Sequence, residues 1–215
     1  MMLPDDLMLL FINEQNGKLR ADSSSVENAL AGAVLIELVN SGLVAFEPDG
    51  KKLQVVDPAP VADPLLRESV ARIDKPLKPQ KAVERLRKKV RDNVAARLVD
   101  RGVVRVEPRK VLGIFPAKSY RIADERVALE VRKAVGDVAL GYREADARTG
   151  SLITLLHAVK AVHKVVDGDK REMTRRAKQI AAGKWAGDAV RKAVEAIQAG
   201  VVAATAAAAA ASSGG

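Results

Sequence analysis

The chain has 215 residues, 48% of them hydrophobic but only 3% aromatic, with no cysteine, and it carries 36 Lys plus Arg against 27 Asp plus Glu, a net charge of +9. This length suits one domain with a substantial core or two small lobes, and a core of Leu, Val, Ile and Ala favours packed helices over a sandwich. The missing cysteines exclude disulfides and thiolate metal sites, and they fit a reducing compartment.

The opening Met1-Met2-Leu3-Pro4-Asp5-Asp6 lacks the basic and apolar regions of a signal peptide. Leu7 to Ile12 is a short apolar run, a buried helix or strand, and Asn13 to Gly17 is turn material. Ser23-Ser24-Ser25 offers caps for a helix whose apolar residues Val26, Leu30, Ala33, Val34 and Leu38 recur at spacings of three and four. Gly42 ends it. Strands at 43–46 and 53–56 flank the turn Pro48-Asp49-Gly50. Pro58, Pro60 and Pro64 mark an irregular connector before a helix over 65–73, and Pro76 and Pro79 break the chain again.

From Lys81 to Arg101 the residues Val83, Leu86, Val90, Val94 and Leu98 form one helical stripe, stopped by Gly102. A strand is expected at 103–106 and its return between Val111 and Ile122. The segment 38–44 resembles 98–104, and each leads to Glu-Pro and then basic residues, so helix–Gly–strand–turn–strand occurs twice. Helices are expected over 124–142, 149–166, 169–182 and 187–204. The tail 205–215 is low-complexity Ala, Ser and Gly, expected to fray, and its Ala run is too weakly hydrophobic for a membrane span. The fold class is mainly α: one compact helical domain over 1–204, with one or two β-hairpins. Such a chain is soluble or peripheral to a membrane.

The charge is localised. Residues 75–110 hold 13 basic and 4 acidic side chains, so this segment carries the whole net charge. A confined basic patch attracts phosphate, of lipid or of nucleic acid. Its candidates are Arg87, Lys88 and Arg91: on a continuous helix Lys88 and Arg91 share a face at i, i+3, and Arg87 and Arg91 at i, i+4. Arg contributes a planar fork for phosphate oxygens and Lys a point charge. No catalytic motif is present, no carboxylate pair stands out, and His157 and His163, six apart on a helix, diverge by about 120°. No metal, cofactor or enzymatic activity is expected. Trp185, between two helices, reads as a packing residue.

Three stretches resemble the Golgi phosphoprotein 3 family: Leu3 to Leu10; Gly32 with Leu35-Ile36-Glu37-Leu38 and Gly42-Leu43; and Val90-Arg91 with Ala95 and Leu98 to Val103. The resemblance covers about Leu3 to Ala204 and implies a mostly helical domain with hairpins. Its eukaryotic members bind phosphatidylinositol 4-phosphate at Golgi membranes and help retain glycosyltransferases. A hairpin similar to 103–122 is implicated there in oligomerisation. By register, the family's two headgroup-binding cations three apart fall on Lys88 and Arg91. The chain departs from the pattern where the family's Trp and Arg fall on Asp22 and Ala31, with Arg20 nearby as a possible accessory cation.

The composition resembles a bacterial, actinobacterial-type member, so vesicle trafficking does not carry over. The resemblance implies a cytoplasmic protein on the inner face of the membrane, binding anionic lipid and able to form homo-oligomers. Two alternatives stand beside this: a winged-helix-like nucleic-acid binder, and a scaffold for protein partners.

Overall fold

The computed structural model describes residues 1–56, 61–111 and 115–213. Helix α1 (Leu3–Phe11) resolves the first ambiguity: the apolar run is helical, and all nine residues are buried. Helix α2 (Ser23–Asn40) is apolar on nearly every side and therefore runs through the centre of the core. Its cap is not the serine cluster but Asp22, whose carboxylate accepts the Ser25 amide at 2.9 Å. A carboxylate at this position also meets the positive end of the helix dipole.

The hairpin β1 (Val44–Phe46) with β2 (Leu53–Val55) follows, then α3 (Pro64–Ala71). Pro58 and Pro60 of the expected connector lie outside the described residues, while Pro64 opens α3.

The expected continuous helix over 81–101 is two helices, α4 (Pro79–Leu86) and α5 (Val90–Asp100). They meet at Lys89, which holds a left-handed φ of 63°. The apolar spacing runs unbroken across the joint, so periodicity hides it. The break arises because the two halves pack on different partners, α4 on α10 and α5 on α1. A second left-handed break divides the helix expected over 149–166. There α7 (Ala147–Ala158) gives way, through Lys160 with φ 55°, to α8 (Val162–Val165).

The strand expected at 103–106 extends to Val111: β3 (Val104–Val111) pairs antiparallel with β4 (Phe115–Ile122) in a register running from Val104↔Ile122 to Val111↔Phe115. Both helix–Gly–strand units are real. Gly42 (φ +71°) and Gly102 (φ +70°) end their helices with the same pair of hydrogen bonds: Leu43 to Leu38 O and Gly42 to Val39 O, then Val103 to Leu98 O and Gly102 to Val99 O. This is the αL ending that glycine adopts without a Cβ penalty.

Helices α6 (Glu125–Leu140), α9 (Lys170–Ala181) and α10 (Asp188–Ser213) complete the domain. The tail expected to begin at 205 continues α10 as helix to Ser213. Alanine's propensity sustains it there, since the residues past Thr205 are largely exposed. By length and composition Val190–Ser212 is apolar enough to cross a bilayer. In this domain it is a core helix, burying Val194, Ile197, Val201 and Ala204 along one stripe. It lies antiparallel to α2, with Asn28 bonded to Thr205 at 3.2 Å and Gly32 against Val201.

Three arginines from later helices clamp α1. Arg97 of α5 binds Asp5, Arg148 of α7 binds Asp6, and Arg132 of α6 donates to the carbonyls of Leu9 and Ile12 at 3.1 and 2.9 Å. The Arg97 bridge fixes α5, and with it Arg91 about one and two-thirds turns upstream.

Candidate functional site

Four segments converge beside the base of the β3–β4 hairpin. The first is the turn after α1, closed by Asn13 and Lys18 through a 2.8 Å backbone bond. Within it Gly17 (φ +66°) accepts the Tyr120 amide at 2.8 Å, and a Cβ at Gly17 would lie 3.0 Å from the Tyr120 carbonyl and collide with Ser119. Glycine is thus required for the hairpin to dock. The second segment is the N-terminus of α2, with Ser23; the third is the first turn of α5, with Arg91 and Asp92; the fourth is the hairpin itself.

Together they enclose an open cleft of about 790 Å³. Its lining includes four cations, Lys18, Arg91, Arg109 and Lys118, against one carboxylate, Asp92. Asp92 is already engaged by Lys118 at 2.8 Å. Arg91 is held at the wall: Nη1 donates to Ser23 Oγ at 3.1 Å, and Glu27 stands 3.7 Å away. Its Nε is buried and has no hydrogen-bond partner among the described residues. Tyr120 closes the floor. Burial pushes its phenol above the usual range, the Arg91 charge opposing, so the hydroxyl stays neutral. Partial burial raises Asp22, but the hydrogen bonds from Ser25 outweigh it and hold the carboxyl below its ordinary value. This group is therefore a fixed anion at the edge of the site.

The structure divides the basic residues picked out in the sequence. Arg91 lies in the cleft. Arg87 and Lys88 lie on the α4–α5 elbow, over a separate depression of about 660 Å³ shared with Arg72, Asp74, Glu84 and Arg85. Left-handed Lys89 turns the chain between them, so the i, i+3 relation of Lys88 to Arg91 does not hold. On the elbow, Arg72 pairs with Glu68 at 2.7 Å, Arg85 pairs with Asp74, and Lys81 pairs with Glu84 at 2.7 Å. Arg87 and Lys88 make no ion pair among the described residues. Arg20 turns its guanidinium to the carbonyls of Ile12 and Lys164, at 3.4 and 3.3 Å, and is not part of the cleft lining. Ala31 is wholly buried in α2 and presents no functional group.

Sequence reading missed Lys18, Arg109, Lys118 and Tyr120, which come from segments about a hundred residues apart. No local pattern announces them; only the hairpin register and the Gly17 contact do. Among the described residues no cluster of His, Cys, Asp and Glu fits a metal ion. Burial and nearby lysines lower both histidines, Lys178 at His157 and Lys170 at His163. Trp185 leans on Gly150 and donates to Ile180 O at 2.6 Å, as a packing residue does.

The sequence profile of the Golgi phosphoprotein 3 (GPP34) family matches residues 3–197. The chain is also similar to vacuolar protein sorting-associated protein 74 of Eremothecium gossypii, 24% identical over 211 residues, covering 79% of this chain and 63% of that protein. It thus spans a little under two thirds of the length of that relative.

Proposed function

As the chain belongs to the Golgi phosphoprotein 3 family, we propose that it is a non-enzymatic peripheral membrane protein whose hairpin-base cleft takes a phosphorylated, anionic lipid headgroup. The observation that carries this reading is the convergence of Lys18, Arg91, Arg109 and Lys118 on a cleft with a single carboxylate. Arg91 supports it twice over. Its buried Nε makes no hydrogen bond among the described residues, Asp92 Oδ1 standing 4.0 Å off, and a phosphate oxygen supplies that acceptor; it also stands in the first turn of α5, where the helix dipole favours an anion.

Arg87 and Lys88 serve a second role on this reading. Exposed Lys88 and half-buried Arg87 add general attraction to an anionic leaflet, about 1 kcal/mol for each charge near the surface. The cleft selects and the elbow attracts. Phosphatidylinositol 4-phosphate is the headgroup that the family suggests. With neither Trp nor Arg at positions 22 and 31, this cleft meets it with hairpin cations instead. The protein acts on the cytoplasmic face of a membrane, and the long hairpin is its route to self-association.

Liposome co-sedimentation at two salt concentrations tests this. Neutral vesicles, generally anionic vesicles and vesicles bearing phosphatidylinositol 4-phosphate are compared. Preference for the phosphorylated lipid, lost in Arg91→Ala/Lys118→Ala, is the expected result. Equal, salt-sensitive binding to every anionic vesicle removes the specific cleft. Preference for duplex DNA over anionic vesicles transfers the basic surface to nucleic acid.

A further inference from the structure

Helix α6 buries one side and leaves another bare. Ala128, Val135, Val138 and Ala139 are buried, as α6 packs on α1, α7 and α9. Seven large hydrophobic side chains are exposed among the described residues, and three of them belong to α6 or its end. Leu129 is 65% exposed, Leu140 42%, and Tyr142, just past the helix, 78%. Leu129 and Leu140 are three turns apart to within about 20°, so they stand on one line along the helix, about 16 Å from each other.

Gly136 stands on the same line, between the two leucines. Glycine is unfavourable in the middle of a helix. A Cβ added here would meet nothing within 4 Å, and φ is not positive, so no contact or turn among the described residues requires a glycine. The result is a notch between two leucine ridges, where a second helix can approach closely.

The charges decide what fits this face. Residues 125–144 hold four basic and four acidic side chains, so neither an anionic leaflet nor nucleic acid is drawn to them. Their order is self-complementary. Lys133 and Asp137, bonded to each other at 2.7 Å, lie on one flank of the leucine line, and Arg126 lies on the same flank. Setting a second α6 antiparallel, with Leu129 of one copy on Leu140 of the other, brings Lys133 beside Asp137 of the second copy. The same pairing turns Arg126 toward Glu144 of the second copy, and a two-fold axis repeats each contact. A parallel copy sets Lys133 on Lys133 and Asp137 on Asp137, and is repelled.

We infer that the outer face of α6 is a contact between two copies of this chain, an antiparallel α6 pair with Gly136 at its close approach. One helix pair is smaller than a standard interface, so the dimer is weak, with a dissociation constant on the order of 10–100 µM. The contact uses neither the cationic cleft nor the strands of the hairpin.

The chain has no cysteine, so an introduced one reports a single position. In the antiparallel pair, position 129 faces position 140 of the second copy, while equal positions lie about 16 Å apart, beyond the reach of a disulfide. Leu129→Cys, Leu140→Cys and their equimolar mixture are oxidised under the same conditions. Covalent dimer is expected in the mixture, about tenfold above either variant alone. Sedimentation velocity of the unsubstituted full chain, up to about 500 µM, is expected to show a mass that rises with concentration. Leu140→Arg changes an exposed residue, spares the fold, and weakens that association at least about tenfold. Three results overturn the α6 pair. One is a mixture that cross-links no better than its components. Another is an unsubstituted chain with no concentration dependence. The third is an association that Leu140→Arg leaves unchanged, which assigns it to another contact such as the hairpin.

Discussion

Nε of Arg97 lies 3.0 and 3.1 Å from the two carboxylate oxygens of Asp5, a residue with no solvent exposure at all. The same guanidinium reaches Asp63 at the cap of α3. One cation on α5 therefore ties together the starts of two other helices. Removing one partner of a buried pair leaves the other charge uncompensated. Arg97→Met is expected to cost about 3 kcal/mol, the lower end for a buried pair because Arg97 keeps 17% of its side-chain exposure. Urea denaturation measures it. A loss below about 1 kcal/mol would show that solvent replaces the bridge.

Placing Arg91 and Arg87/Lys88 in separate depressions predicts two different losses of membrane binding. Arg91→Ala/Lys118→Ala removes the preference for phosphorylated over generally anionic vesicles. Arg87→Ala/Lys88→Ala lowers binding to both alike, by about 1 kcal/mol per charge, and its effect fades at high salt. Flotation of the two double variants with both vesicle types distinguishes these patterns.

Close helix approaches predict a graded glycine series. A Cβ at Gly200 would fall 2.7 Å from the backbone carbon of Pro79, which cannot swing away. One at Gly32 would meet the side-chain ends of Val201 and Leu155, at 2.7 and 2.8 Å. Gly102 has open space and is constrained only by its φ of +70°. Gly200→Ala is expected to cost most, about 3 kcal/mol; Gly32→Ala is intermediate, and Gly102→Ala costs about 1 kcal/mol. Thermal unfolding of the three variants gives the order.

Gly150 is the seat of the only tryptophan, for an added Cβ there would lie 2.6 Å from Trp185 Cε3. Gly150→Ala displaces the indole toward water. Its fluorescence emission moves to longer wavelength, and unfolding becomes easier by about 1–3 kcal/mol. Unshifted emission would place the strain elsewhere.

His157 gives stability a dependence on pH. Burial, with help from Lys178, lowers its folded value below the ordinary 6.5. Above 6.5 both states hold it neutral and it contributes nothing. As pH falls through 6.5 the unfolded chain takes up the proton first, so stability declines until the folded value is reached. The capping carboxylates Asp22 and Asp146, both lowered, lose their contribution only at more acid pH, below 3.8. His157→Gln is expected to flatten the decline just below 6.5, followed by denaturation midpoints across pH.

The two helix–Gly–strand units were legible from Gly42 and Gly102, because a helix ending at glycine followed by a short apolar run is a local event that neighbouring residues decide. The joints at Lys89 and Lys160 were not legible. The apolar spacing carries straight through both, and a lysine gives no sign of a left-handed turn. The turn at Lys89 exists because the helices on either side are drawn to different partners, α4 to α10 and α5 to α1, which is information distant in the chain. Asp5 and Asp6 illustrate the same limit. Nothing local to them announces that they lie buried under arginines more than ninety residues away.

By itself the sequence determined a helical, cysteine-free domain, its family, and a basic segment suited to phosphate, since composition, periodicity and local motifs depend on neighbours a few residues apart. Only the tertiary structure decided which cations stand together. Docking of the hairpin on Gly17 brings Lys18, Arg91, Arg109 and Lys118 into one cleft, while the Lys89 turn sends Arg87 and Lys88 to another face. Charge density is a property of a segment, but a binding site is a property of distances, and long-range packing sets those.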